Sequence, residues 1–401
     1  MKSRSFKFDA TIWTRNLILF AIVLFLVRFG EGLLNGARMN FFIETIGLNE
    51  GQVLWLEGIR ELPGLGLIFI AALTMLLPLS RQSALSVFLM GAGYILYAFV
   101  GSYAGLLLAV MIASFGFHMW TPLNRAVGLS LSSKENAGRV LGTLSSVGSL
   151  AAIIGMGALS LVSLIFKNMP LTNYYIVGGL VIIIGSLVLL WLPKDIGATD
   201  IKPQRILIKK RYWLYYVLIF FSGARKLVLG SFITLMLVHN YDVHVWQIST
   251  LTLISSLLNI FLAPRLGGLV DRLGERSTML MTYSLLALFT FGYAIIPNFW
   301  ILMILWVLIK LVSPLGLGLQ TYVYRTAPQE ELAPTLAAGV TFDHISSVSM
   351  PFLARAVLPI IDYQGVFFAS AVLILVSIPF ARMLQVQSLQ HPVAAAVTSA
   401  D

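Results

Sequence analysis

Hydrophobic and polar positions alternate on a coarse scale along this chain: long apolar runs, each about the length of a bilayer crossing, separated by short polar breaks. A helix needs about 20 mostly apolar residues to span the hydrocarbon core. The runs fall near 16–43, 52–79, 83–101, 103–131, 139–166, 172–192, 212–238, 246–265, 277–297, 299–325, 333–359 and 364–386, which predicts twelve spans. The breaks carry turn chemistry, as in Gly47-Leu48-Asn49, Ser80-Arg81-Gln82, Asn168-Met169-Pro170 and Pro297-Asn298. Only 193–211 is long and polar. It divides the chain into an N-terminal bundle, 1–192, and a C-terminal bundle with a short tail, 212–401. The first apolar run follows Lys2, Arg4, Lys7 and Arg15 but continues to Phe42, too long for the core of a cleaved signal, and is expected to be a retained helix.

Composition agrees with that pattern. The 401 residues are 58% hydrophobic and only 11% charged, with a mean hydropathy of +0.88. A soluble domain keeps about 25% charged residues because its surface meets water, so here lipid is the outer solvent. The chain has no cysteine, which excludes disulfides, thiolate metal sites and cysteine nucleophiles. The net charge of +10 does not point to nucleic acid, because the basic residues are placed by topology. Of 27 lysines and arginines, 18 lie in the even-numbered connections and the termini, Lys167 alone in an odd-numbered connection, and eight inside spans. The positive-inside rule then expects both termini and the linker in the cytoplasm of a plasma (inner) membrane.

A repeat is visible at a constant offset of 195 residues. Gln52 corresponds to Gln247, Arg81 to Arg276 and Glu135 to Glu330. Two parallel six-helix repeats joined by a cytoplasmic linker is a transporter plan.

Charges inside apolar spans are costly and mark pathways or partners. In the first span Arg28, Glu31, Asn35 and Arg38 are spaced 3, 4 and 3, one helical face. The second span carries Glu57, Arg60 and Glu61; the fourth His118, Thr121 and Arg125; the seventh Arg225 and Lys226; the tenth Lys310 and Gln320; the eleventh Asp343, His344 and Arg355. Arg38, Glu57 and Arg355 stand near span ends, where snorkelling to the interface is the simpler reading. Arg60 and Glu61 read equally well as a packing pair, and His118 as a packing histidine. The spans hold eight basic and four acidic side chains, so a pathway through them would favour an anionic or zwitterionic solute.

The stretch Gly267-Gly268-Leu269-Val270-Asp271-Arg272-Leu273-Gly274-Glu275-Arg276 resembles the Gly-x-x-x-Asp-Arg-x-Gly-x-Arg loop signature of the major facilitator superfamily. The corresponding first-half stretch, 72–81, keeps only Arg81. The resemblance implies an all-α membrane fold of twelve helices in two pseudo-symmetric six-helix bundles. It implies a cavity lined by the first, fourth, seventh and tenth helices, and a latch formed by Gly267, Asp271, Arg272 and Arg276. Substrate-binding candidates are therefore Arg28, His118, Arg125, Arg225, Lys226, Lys310 and Gln320. Protonatable candidates are Glu31, Glu61, Asp343 and His344, and Glu31 corresponds to Lys226 in the repeat, a possible ion pair or gate. The expected function is secondary, proton-coupled transport of a small anionic or zwitterionic amphiphile by rocker-switch alternating access. An exporter or flippase of amphiphiles is the alternative. A membrane-embedded enzyme is a third, opposed by the absence of a nucleophile or metal-spacing motif. Adjacent Asp343 and His344 point about 100° apart on a helix and cannot act as a dyad. No cofactor, metal or nucleic acid is expected; the partners are a small solute, the bilayer and a coupling proton, and the chain is expected to be a monomer.

Overall fold

A computed structural model describes residues 13–66, 77–133, 136–197 and 208–385, and these are helical throughout apart from short connections. Several helix starts are chemically specified. Thr14 accepts the Leu17 N–H at 3.2 Å, Ser102 that of Gly105 at 3.1 Å, and Asn298 that of Ile301 at 3.2 Å, side-chain caps for amides that have no helical partner.

Nine helices among the described residues are long and apolar enough to cross a membrane. Three further crossings complete the twelve. The second span begins at Glu50 and is described to Gly66. The third is Leu79–Tyr97. The last comes from Pro334–Arg382, which Asp362 divides with a φ of 52°, its carboxylate capping the next helix through the Gly365 N–H at 2.9 Å. Val245–Ile295 is divided likewise at Gly274, whose φ of 75° suits a residue without a Cβ.

The 195-residue offset reappears in the backbone. Gly47 and Asp242, one offset apart, both take positive φ, 73° and 51°. Two residues on, the Asn49 N–H donates to the Gln52 side chain at 3.1 Å and the His244 N–H to that of Gln247 at 2.8 Å. The repeat read from Gln52 and Gln247 is therefore a shared helix-start device, a side chain reaching back to an orphan amide.

The described residues form two compact units. One lies within 1–201 and takes in Ser231–Leu257; the other lies within 202–230 and 258–401. In the first unit the first span packs on the fifth and sixth, the third on the fourth and sixth, and the second on the fourth. Small residues permit this: a Cβ on Gly93 would strike the Ala113 backbone, one on Gly116 that of Met90, and one on Gly155 the Phe29 carbonyl. An aromatic core of Phe41, Phe42, Tyr97 and Tyr175 fills the space beside these contacts. In the second unit the seventh span packs along the helical stretch Gln329–Arg382.

Candidate solute cavity

The first span runs as Arg15–Asn35, then a short turn Arg38–Asn40 and a π turn Phe41–Thr45. Its polar face meets the second, third and fourth spans around a cavity of about 200 Å³. Arg28, Glu31, Asn35 and Arg38 all line it, as their spacing predicts, and Arg60, Tyr94, Tyr97, Ser114 and His118 close the other sides. Helical periodicity alone aligned Arg28, Glu31 and Asn35; the turn at Gly36 and Ala37 keeps Arg38 on the same side, and tertiary packing supplied the rest.

The charges in and behind this cavity are paired. Arg28 Nη1 lies 2.7 Å from Glu31 Oε2, and Glu31 is buried. Arg60 Nη2 reaches Glu57 Oε2 at 3.0 Å and Glu61 Oε1 at 3.1 Å. Arg38 Nε stands 3.6 Å from Glu57 Oε1. The Arg60 carbonyl accepts the Ser114 hydroxyl, tying the second span to the fourth. Three guanidinium groups thus meet three carboxylates, of which Glu31 lines the cavity while Glu57 and Glu61 stand behind its wall, so the charge of the lining arginines is compensated from within the same unit. The excess of basic residues counted along the spans does not gather here.

Snorkelling does not describe Glu57 or Arg38. Glu57 is only 2% exposed, and its Oε2 also accepts the Ser231 hydroxyl at 2.6 Å; Ser231 in turn accepts from Arg38 Nη2 at 3.1 Å. Position along the apolar run put both residues near an interface. Residues 231–257 cover them in the structure, a contact too distant in sequence for any local pattern to signal.

The other candidates are distributed as follows. His118 lines the cavity, whereas Arg125, two turns on, is exposed and stands off it. Glu61 pairs with Arg60 behind the cavity wall. In the second unit Arg225 is 7% exposed and stacks on the Tyr283 ring at 4.7 Å, with Nη2 on Ser222 at 3.3 Å, so it is held in the packing of its own unit, where it also lines a mostly apolar cavity. Its repeat counterpart Gly30 is likewise a packing position, close against Gly178 and Ile182. Lys226 Nζ is 3.9 Å from Asp343 Oδ2, and Glu31, its counterpart, pairs with Arg28. Lys310 sits over the Trp306 ring at 5.2 Å; Gln320 is exposed and His344 buried. Of the latch, Arg272 and Arg276 are exposed, while the side chain of Asp271 and the surroundings of Gly267 lie outside the described residues, as does Glu135. The same loop holds a residue the pattern did not single out: Glu275 is 1% exposed and pairs with Arg325 Nη1 at 3.1 Å, joining the start of the ninth span to the end of the tenth. The repeat gave a clue to Arg81, whose Nη1 caps the end of the sixth span through the Leu190 carbonyl at 2.7 Å.

Twelve helical crossings with a charged, half-enclosed cavity inside one bundle define a polytopic membrane transporter. The family model described as Major Facilitator Superfamily matches residues 20–297 and 214–396, and the chain belongs to that superfamily. It is a membrane transporter and not an enzyme. Similar solved structures carry the same fold at low identity. The nucleoside transporter NupG matches with a TM-score of 0.74 at 14% identity, over 92% of this chain and 99% of that one. An inward-facing, unoccupied bacterial homolog to the human lysosomal transporter Spinster matches with 0.71 at 13%, over 94% and 97%. A variant of the peptide transporter POT in complex with alafosfalin matches with 0.69 at 15%, over 91% and 94%. No curated protein matches this sequence.

Proposed function

We propose that this chain is a proton-coupled secondary transporter of a small zwitterionic solute, working by rocker-switch alternating access as a monomer in the plasma (inner) membrane with both termini cytoplasmic. The observation that carries the reading is the pairing of every arginine that lines the 200 Å³ cavity: Arg28 with Glu31 in the cavity, and Arg38 and Arg60 with Glu57 and Glu61 behind its wall. A plain anion would take a guanidinium from its glutamate and leave that carboxylate uncompensated in a low-dielectric site, a costly exchange. A zwitterion replaces both members of a pair, its anionic end on Arg28 or Arg60 and its cationic end on Glu31 or the Tyr94 and Tyr97 rings. Within the broader anionic or zwitterionic class, the geometry therefore favours the zwitterion. The expected bundles, 1–192 and 212–401, joined by the linker 193–211, are the moving parts of this scheme.

Glu31 is the coupling group in this scheme. It is buried against a single arginine, so a proton can take the place of Arg28 when the solute claims that guanidinium. In the second unit the protonatable candidate is Asp343, which stands beside Lys226, the repeat counterpart of Glu31. The test is uptake and efflux in proteoliposomes under an imposed pH gradient, with glycine betaine, dialanine, succinate and a hydrophobic cation as the panel. The zwitterions should move, Arg28→Ala should weaken their uptake, and Glu31→Gln should abolish gradient-driven accumulation while retaining exchange. Transport of the hydrophobic cation alone would overturn the reading. A second reading, export or flipping of an amphiphile, is favoured by one observation only, an apolar cavity of about 270 Å³ bounded by Leu227, Val228, Met350, Leu353 and Leu373 in the second unit.

A further inference from the structure

We infer that Glu57 is a positioning residue through which occupancy of the cavity releases the seventh span, because it shares Arg38 and Arg60 with the solute while holding Ser231. The inference rests on the cavity being the solute site.

The argument starts from the carboxylate. An ion this deeply buried must be saturated by charge and hydrogen bonds. Glu57 Oε2 is, by Arg60 Nη2 and the Ser231 hydroxyl. Among the described residues Oε1 has no hydrogen-bond donor, and Arg38 Nε stands 3.6 Å from it. Three elements therefore converge on one group: the first span through Arg38, the second through Arg60 and Glu57 itself, and the seventh through Ser231.

Both arginines also line the cavity. Whatever draws their guanidinium groups toward the cavity withdraws compensation from Glu57. Because Ser231 bonds Arg38 as well as Glu57, its two contacts weaken together. Ser231 lies in a π turn, Val228–Phe232, a helical irregularity that recurs at functional sites.

The rest of the covering segment is joined to the first two spans nearer the chain turns. Asn40 Nδ2 donates to the Val243 carbonyl at 2.8 Å, and His239 Nε2 lies 2.9 Å from Glu50 Oε1. All these contacts lie at the ends of spans that meet the odd-numbered connections, the side poor in lysine and arginine. Ser231 is the innermost of them along its helix and the one wired to cavity residues. Without solute the segment is thus fastened to the first two spans on that side, and a solute that engages Arg38 and Arg60 removes the innermost fastening.

The cysteine-free chain allows a direct test. Asn35→Cys places one thiol in the cavity, and its rate of reaction with a membrane-impermeant methanethiosulfonate, applied from the odd-loop side of oriented vesicles, reads opening on that side. With no solute present, Ser231→Ala and Glu57→Gln should raise this rate about tenfold, the scale of losing a hydrogen bond to a charged group. Ser231→Thr, which keeps the hydroxyl, should restore the slow rate, an outcome that a mere packing role for Ser231 would not produce. Glycine betaine or dialanine should speed labelling of the otherwise unaltered chain and have no further effect in Ser231→Ala. Unchanged labelling in Ser231→Ala overturns the inference, whether or not Glu57→Gln folds. So does transport of either zwitterion without faster labelling. Failure of the whole panel to move, with solute-free labelling still raised in Ser231→Ala, would instead overturn the cavity reading and leave Ser231 as a fastening alone.

Discussion

Arg60 holds two carboxylates with one guanidinium nitrogen, 3.0 Å from Glu57 and 3.1 Å from Glu61. Such a group is not interchangeable with a lysine, whose compact ammonium lacks the planar fork and the reach of a guanidinium. Arg60→Met should be costly in stability, about 3–5 kcal/mol, because it strands two buried carboxylates. Arg60→Lys should fall between that variant and the unaltered protein. Thermal unfolding of the purified protein in detergent checks the order, and equal midpoints would mean the pairing is not a stability element. At this scale the sequence was informative wherever helical period sufficed. Arg28, Glu31 and Asn35 share a face because 3, 4 spacing within one helix forces it, and Arg38 joins them across the turn at Gly36 and Ala37. It was uninformative for Glu57 and Ser231, which are 174 residues apart and meet only after folding.

Helix contacts set the next scale. Gly93 of the third span and Gly116 of the fourth face each other's backbones, so neither tolerates a side chain without separating the helices. Gly116→Val should overpack this contact by about 1–3 kcal/mol. The check is a lower midpoint of unfolding, with Gly101→Ala, where a Cβ meets nothing, as the neutral control. A second element-level device lies where the linker ends. Glu331 accepts from Lys209 at 2.6 Å, from the Tyr212 hydroxyl at 2.8 Å and from Arg211. The hydrogen bond from Lys209, followed by those from Arg211 and Tyr212, holds its carboxyl at about 2, below the usual 4.5. A depressed carboxylate strengthens the folded state above its ordinary value and loses that contribution as pH falls toward the lowered one. Tryptic cleavage at Lys209 to Arg211, measured relative to a free peptide at the same pH, should therefore be constant from neutrality to about pH 5, and faster in Glu331→Gln at any of these values. Equal cleavage of both proteins would remove the contact from the account. No sequence pattern identified Glu331, because its partners lie some 120 residues away.

On the scale of the whole molecule, alternating access requires contacts that exist in one state and not in the other. The loop at 267–276 is one candidate, and its Glu275–Arg325 pair shows that it already bridges the ninth and tenth spans. Asp271→Asn should slow transport strongly while leaving expression near normal, since a state-specific latch rather than a core contact is lost. Normal transport by that variant would reduce the loop to a topology signal. The proposed orientation rests on the basic loops and predicts that Lys209→Cys reacts with an impermeant thiol reagent only from the cytoplasmic side. Reaction from the outside would invert the topology.

Hydropathy and charge determined most of the architecture. Lipid forbids unpaired backbone and isolated charge over a fixed thickness, so span length, span number and loop bias are written locally in the chain. The 195-residue repeat was legible for the same reason, since helix-start devices such as Gln52 and Gln247 are local. The identity of the cavity's charge was not. A count along the spans gave a basic surplus, but charge in a low-dielectric interior acts over a few ångströms, so only the neighbours matter. Tertiary structure placed Arg225 on Tyr283, left Arg125 exposed and matched three arginines with three glutamates around one cavity. It also brought Ser231 onto Glu57, because residues 231–257 pack with the first spans rather than staying with their sequence neighbours.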